Sequence, residues 1–129
     1  MLSFKTKYSE SQRKLESAKI TRKYPDRVPV IVEKSHGSSL PDIDKHKFLV
    51  PGDLSIGEFI TIIRKRTKLS PEEGIFVFVD PNRNNEDANQ KKSSLVIPPT
   101  SSIISNIYEE YKSPCGFLLV VYTGENVYG

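Results

Sequence analysis

The run Phe117-Leu118-Leu119-Val120-Val121-Tyr122 is the stretch that most narrows what this chain can become. Its length and its β-branched and aromatic content predict a buried strand, entered through the turn-like Ser113-Pro114-Cys115-Gly116. Beyond it lie Thr123-Gly124-Glu125-Asn126-Val127-Tyr128-Gly129. A terminal glycine has no Cβ, so this arm can thread a narrow channel and present its carboxylate for activation as an acyl group. Val127 and Tyr128 give such a channel apolar surface to hold. Glycine is also about one residue in fourteen of average composition, so the ending by itself does not separate this reading from chance.

At 129 residues the chain is expected to form one domain around one core, since two halves of this length would each be marginal. The single cysteine excludes a disulfide framework, and Cys115, His36 and His46 do not stand at zinc-ligand spacing. Cys115 reads as a bystander in a turn and not as half of a catalytic Cys/His pair. No paired carboxylates, nucleophile triad, phosphate loop or metal cluster can be assembled, which disfavours an enzyme. No apolar run is long enough to span a membrane, and the N-terminus mixes Lys, Glu and Arg, so a cytosolic start is expected. Residues 1–34 hold nine Lys or Arg against four Asp or Glu, or +5, and the remainder carries −2. This basic front suits anionic lipid, nucleic acid, an acidic peptide or plain solvation of a helix surface. No aromatic-rich RNA-binding strand or zinc finger supports nucleic acid.

In chain order, Phe4 to Tyr8 predicts a short helix and Ser11 to Lys23 a longer one, capped by Ser9 or Ser11. Leu15 and Ala18 mark its expected docking side. Ile20 lies about 140° from Leu15 around the axis, so it either widens the buried stripe or lines a surface pocket. Tyr24-Pro25-Asp26-Arg27 stops the helix. Val28 to Val32 reads as a strand with Pro29 near its start, and Phe48-Leu49-Val50-Pro51 as a short edge strand. Ser55-Ile56-Gly57-Glu58 is a capping box, and Ile56, Phe59, Ile60 and Ile63 give the following helix one apolar face. Ile75 to Val79 is the third strand, and Pro81 to Ser94, with no apolar side chain beyond Ala88, is expected to be a mobile loop. Thr100, Ser101 or Ser102 can cap a last helix with an Ile103, Ile104, Ile107, Tyr108 and Tyr111 face. The order predicts an α+β domain with a mixed sheet and helices on one face. Without the first two helices, it is the element order of a ubiquitin-like β-grasp.

The stretches Tyr24-Pro25-Asp26-Arg27-Val28-Pro29-Val30-Ile31-Val32-Glu33-Lys34, Asp44-Lys45-His46-Lys47-Phe48-Leu49-Val50-Pro51, Ile63-Arg64-Lys65-Arg66 and Val96-Ile97-Pro98-Pro99-Thr100 resemble the lipid-conjugated ubiquitin-like autophagy modifiers of the GABA-receptor-associated protein and microtubule-associated protein light chain type. The resemblance runs in register along nearly the whole chain, apart from the first few residues and the long loop. It implies a ubiquitin-like β-grasp with two additional N-terminal helices: a helical extension over 1–26, a body over 27–122 containing the loop 81–94, and a flexible conjugation tail over 123–129. It also implies that Gly129 is charged by an activating enzyme, passed to a conjugating enzyme and joined to phosphatidylethanolamine, a covalent lipid and the sole group resembling a cofactor. The implied localisation is the cytoplasm and, after conjugation, the autophagosome membrane.

The second implied function is to read receptor and adaptor peptides of the form aromatic-x-x-aliphatic as an added β-strand. Carried over by position, the aromatic pocket comprises Glu16, Ile20, Pro29, Ile31, Lys47, Leu49 and Phe117. The aliphatic pocket comprises Phe48, Val50, Pro51, Leu54, Phe59, Ile62 and Arg66. A core role competes for most of the apolar members, Phe59 above all, and solvation competes for Lys47 and Arg66. Phe76 and Phe78 resemble part of a second docking surface, which the long loop puts in doubt. Family precursors commonly carry residues beyond the glycine that a cysteine protease removes; here the printed sequence stops at Gly129, in keeping with a mature form or with a member made ready for conjugation. Tyr128 stands where many members have Phe. The competing reading is an unconjugated ubiquitin-like adaptor that binds peptides or tubulin through its basic front.

Overall fold

Ser55 and Glu58 open the helix that the sequence announces most clearly. The Glu58 amide donates to Ser55 Oγ at 3.1 Å, and the Ser55 amide donates to Glu58 Oε1 at 3.0 Å. The computed structural model describes residues 10–70, 72–81 and 95–124. Within them the elements are α1 (Glu10–Lys23), β1 (Arg27–Lys34), β2 (Lys47–Pro51), α2 (Ile56–Thr67), β3 (Phe76–Val79), α3 (Ile104–Tyr111) and β4 (Leu118–Thr123). The helix expected over Phe4–Tyr8, the loop from 82 to 94 and residues 125–129 lie outside the described residues. Thr123, expected in the tail, instead closes β4 opposite Phe76.

The capping box has a measurable share in stability. Hydrogen bonds from the Ser55 amide, and secondarily from its hydroxyl, hold the Glu58 carboxyl below the usual carboxylate range. A lowered folded-state value means the contribution is complete above the unfolded value and is lost as pH falls through the folded one. Ser55→Ala is expected to lower the unfolding free energy by about 1 kcal/mol at neutral pH. Urea denaturation checks this, and an unchanged midpoint would contradict it.

The four strands form one mixed sheet in the order β2-β1-β4-β3. β1 and β4 run parallel at its centre, with Val30 opposite Leu118, while β2 and β3 pair antiparallel on the flanks. The mixed sheet agrees with expectation, but the helices do not share one face. Val30, Val32, Phe48, Val50, Leu118, Val120 and Tyr122 pack with Phe59 and Ile63 of α2 and Ile104 and Ile107 of α3. Ile31, Leu119, Phe117 and Cys115 form a second cluster on the opposite face, with Ile20 of α1 against it. α1 therefore covers the other side of the sheet. The continuous burial of β4, with no alternation, is the signature of a strand covered on both faces.

Two details of the helices also differ from the sequence reading. α1 docks through Arg13, Ser17 and half-buried Ile20, whereas Leu15 is 69% exposed and Ala18 is exposed. The cause is a polar latch: Ser17 Oγ donates to the Cys115 carbonyl at 2.6 Å, so a hydroxyl and not an apolar side chain sets the helix's rotation. For α3, the N-cap is Ile103, which makes no side-chain cap and is 42% exposed. Backbone groups do that work: the Ile104 amide donates to the Leu54 carbonyl at 2.8 Å and the Ser105 amide to Gly52 at 3.1 Å. The amides of Ile56 and Gly57 in turn donate to Ser102 and Thr100, so the starts of α2 and α3 satisfy their orphan donors on each other's flanking loops.

Candidate functional site

β2 is one of the two outer strands of the sheet, and no described strand pairs with its far side. Its register places Val28 opposite Val50, Pro29 opposite Leu49, Val30 opposite Phe48 and Ile31 opposite Lys47. The Val32 amide donates to the His46 carbonyl at 2.8 Å, and His46 Nδ1 lies 2.8 Å from the Val32 carbonyl. With that bond as reference, alternation turns the backbone groups of Phe48 and Val50 toward β1 and those of Leu49 outward. It also explains Pro29, whose missing amide falls at a position that makes no bond to β2 and precedes the first β1–β4 pair.

The residues assigned to the aromatic pocket come together on the α1 face. Pro29 and Leu49 are cross-strand partners, as are Ile31 and Lys47. Ile20 packs on the cluster holding Ile31 and Phe117, and Glu16, one turn earlier on α1, pairs with the Lys47 ammonium. Phe117, Pro29 and Ile31 are buried and form a floor, while Leu49 and Ile20 are half-buried at the surface. The Lys47–Glu16 pair, with its side chains 44% and 30% exposed, spans this floor from strand to helix. Exposed pairs of this kind contribute only about 0–1 kcal/mol, so parting them costs little.

Apart from Pro51, which alternates in phase with Leu49, the aliphatic set lies on the opposite face of the same strand, at the α2 side. Phe48 and Val50 are buried, and the Phe48 ring meets Phe59 edge to face at a centroid distance of 5.8 Å. Phe59 is 1% exposed, so its direct role is in the core. Leu54 and Ile62 are half-buried against that core, and Pro51 is exposed. Ile62 and Arg66 line a shallow cavity of about 320 Å³ together with Asp44, Lys65 and Lys68. Arg66 Nη1 lies 3.7 Å from Asp44 Oδ2, and the Lys45 ammonium stands 5.3 Å from the Phe48 ring centroid. Cations thus outnumber carboxylates along this edge, which suits an acidic partner and makes encounter salt-sensitive.

Of the pair suggested for a second surface, Phe78 is buried in the sheet and Phe76 is 38% exposed at the beginning of β3. Gly129 lies outside the described residues. Ser17, which the sequence reading passed over, fixes the wall carrying Glu16 and Ile20; a buried hydroxyl in a helix gives no hydropathy signal. Among the described residues, no group of three or more His, Cys, Asp or Glu could hold a metal, and no helix is long and apolar enough to cross a membrane.

Against known proteins, residues 12–129 match the family described as "Autophagy protein Atg8 ubiquitin like". The chain is similar to "Autophagy-related protein 8" of Schizosaccharomyces pombe, 48% identical over 126 residues that cover 98% of this chain and 93% of the relative. It is also similar to "Autophagy-related protein 8d" of Arabidopsis thaliana, 48% identical over 127 residues with 98% and 94% covered. "Autophagy-related protein 8A" of Oryza sativa subsp. indica is 50% identical over 127 residues, with 98% and 95% covered.

Proposed function

Because the chain belongs to the Atg8 family of ubiquitin-like autophagy proteins, we propose that it is joined through Gly129 to phosphatidylethanolamine and recruits receptors that carry aromatic-x-x-aliphatic segments. The family is one of modifiers and not of enzymes. The chemistry of the site residues fits that division, because the candidate groove offers backbone pairing and apolar contact and no nucleophile.

One observation carries the peptide half: the two candidate pockets flank a single outer strand on opposite faces. A peptide added beside β2 would alternate its side chains with a period of two, so residues three apart face opposite ways. An aromatic residue and an aliphatic one separated by two others would therefore enter the α1-side and α2-side pockets together. Leu49, whose backbone turns outward, supplies pairing groups for such a strand. The lipid half rests on family membership and on membrane physics: each buried methylene contributes about 0.8 kcal/mol, and one chain alone anchors only marginally, so a diacyl lipid gives stable attachment. Activating and conjugating enzymes of the lipidation pathway and a delipidating cysteine protease are the partners this cycle needs. The protein would move between cytoplasm and autophagosome membrane.

A calorimetric titration with an aromatic-x-x-aliphatic peptide tests the reading. Leu49→Ala is expected to weaken binding by about tenfold, as for a well-placed contact residue. The substitution removes a half-buried surface side chain and should leave the denaturation midpoint close to the parent's. Unchanged affinity would remove β2 from the binding site. Phe48→Ala is a poorer probe, because Phe48 is 6% exposed and its loss would disturb the core.

A further inference from the structure

We propose a second docking groove, between the C-terminal half of α1 and the turn joining α3 to β4, that takes an acidic peptide segment. It lies on the far side of α1 from the Ile20 wall, and it does not depend on strand addition or on lipid attachment. The groove is open to solvent, with a volume of about 760 Å³, and is lined by Ala18, Thr21 and Arg22 of α1 and by Tyr108, Lys112 and Pro114. No Asp or Glu is among the described residues that line it. Two cations line it together with small apolar groups and hydroxyls, a combination complementary to a carboxylate-bearing segment.

The groove is built before any ligand arrives. Thr21 of α1 and Tyr108 of α3 line the groove together, and the Tyr108 hydroxyl donates to the Gly116 carbonyl at 2.7 Å. Ser17 ties α1 to the carbonyl of Cys115 at 2.6 Å in the same region. Helix, turn and α3 are thereby fixed relative to one another, so a peptide meets a preformed surface and the ordering cost falls mainly on the peptide.

Among the described residues the two cations have few competing carboxylates. Arg22 makes no ion pair among the described residues. Lys112 reaches Glu109 at 3.5 Å, but that carboxylate is 72% exposed and belongs to the same helix. Both cations lie near helix C-termini, where offsetting the dipole is their simplest role. One carbonyl at each end is already met by backbone: Tyr24 donates to Ile20 at 2.7 Å and Lys112 to Tyr108 at 2.8 Å. Among the described residues, no carboxylate on another element holds either charge.

Shape selects the class of partner. A groove between a helix and a turn is concave and does not admit a flat bilayer. Two cations are few for a nucleic acid, and the Lys112 ammonium stands 5.3 Å from the Tyr108 ring centroid, where a stacked base would have to lie.

The test is a titration of isotope-labelled full-length protein with the blocked peptide acetyl-Glu-Glu-Leu-Asp-Glu-amide, followed by amide resonances. Saturable shifts are expected at Thr21, Arg22, Lys112 and Gly116, with affinity falling roughly threefold or more when salt is raised from about 0.05 to 0.3 M. The double substitution Arg22→Ser and Lys112→Ser is expected to weaken this peptide by roughly fivefold or more, while an aromatic-x-x-aliphatic peptide binds within about twofold of the parent. That second peptide separates the two grooves, since its failure to bind the parent would count against strand addition alone. The inference is overturned if the acidic peptide causes no saturable shift, if its shifts fall only along Lys45, Lys47, Lys65 and Arg66, or if a peptide with Lys in place of each acid binds equally well. It is also overturned if phosphatidylserine vesicles perturb Arg22 and Lys112 while the peptide does not.

Discussion

Gly129→Ala protein is expected to fold as the parent does and to lose attachment to phosphatidylethanolamine. The two halves of this result have separate causes. Residue 129 lies beyond β4, the last element of the sheet, so a methyl group there changes no described core contact and the denaturation midpoint should not move. Acyl transfer, by contrast, requires the terminal carboxylate to be held in a channel at attack distance, first for activation and then at each thioester step. A displacement of about 1 Å at such a centre costs on the order of 100-fold in rate. A Cβ at the reacting residue introduces a displacement of that scale, and it acts at every step of the relay. Incubation with activating and conjugating enzymes, ATP and phosphatidylethanolamine liposomes, followed by mass measurement, reads the effect directly. Parent protein should gain the mass of the lipid less one water, and the variant should not. Undiminished conjugation of the variant would refute Gly129 as acyl donor. Failure of the parent to conjugate would leave the unconjugated adaptor as the better reading.

Gly116→Ala should be strongly destabilising. Gly116 has φ +91°, a region that disfavours a residue with a Cβ by roughly 1–2 kcal/mol. An added Cβ would also lie 2.3 Å from Ser17 Oγ and 3.0 Å from Ser17 Cβ. Relieving that overlap pushes α1 off the turn and endangers the Ser17 bond to Cys115; overpacking of this kind costs a further 1–3 kcal/mol or so. The expected loss is about 2–5 kcal/mol in urea denaturation, with the motif-peptide affinity falling as well because Ile20 and Glu16 move with the helix. A variant as stable as the parent would mean that α1 is not latched as described. Ser17→Ala, which removes the clashing hydroxyl, should recover part of the affinity in the double variant if steric overlap is the cause.

Much of the fold was legible because local chemistry and global packing agree. The capping box and the spacing of Ile56, Phe59 and Ile63 define α2 wherever the rest of the chain goes. The apolar runs of β1 and β4 likewise identify strands, that of β4 a buried one. What escaped depends on contacts between distant residues. Leu15 and Ala18 look like a docking face to a hydropathy pattern, but α1 is turned by a hydroxyl meeting a carbonyl 98 positions away. By sequence pattern the start of α3 calls for Thr100, Ser101 or Ser102 as a cap, and it instead borrows carbonyls from Leu54 and Gly52. Helices on both faces were foreshadowed by the lack of polar alternation in β4, although the run alone does not say which helix crosses to which side. For the candidate site, the edge character of β2 was readable from its shortness and from Pro51. The division of its neighbours into two faces emerged from the register, since Leu49 and Phe48 are adjacent in sequence and opposite in space.

The spacing rule is the most exposed part of this account, and a peptide series tests it. Binding should be measured by calorimetry for peptides of identical composition in which one, two or three residues separate the aromatic from the aliphatic side chain. Two intervening residues should bind best, and one or three should each lose about tenfold or more, because an even offset leaves both anchors on the same face of the added strand and one pocket empty. Equal affinity across the series would contradict a two-sided groove on β2.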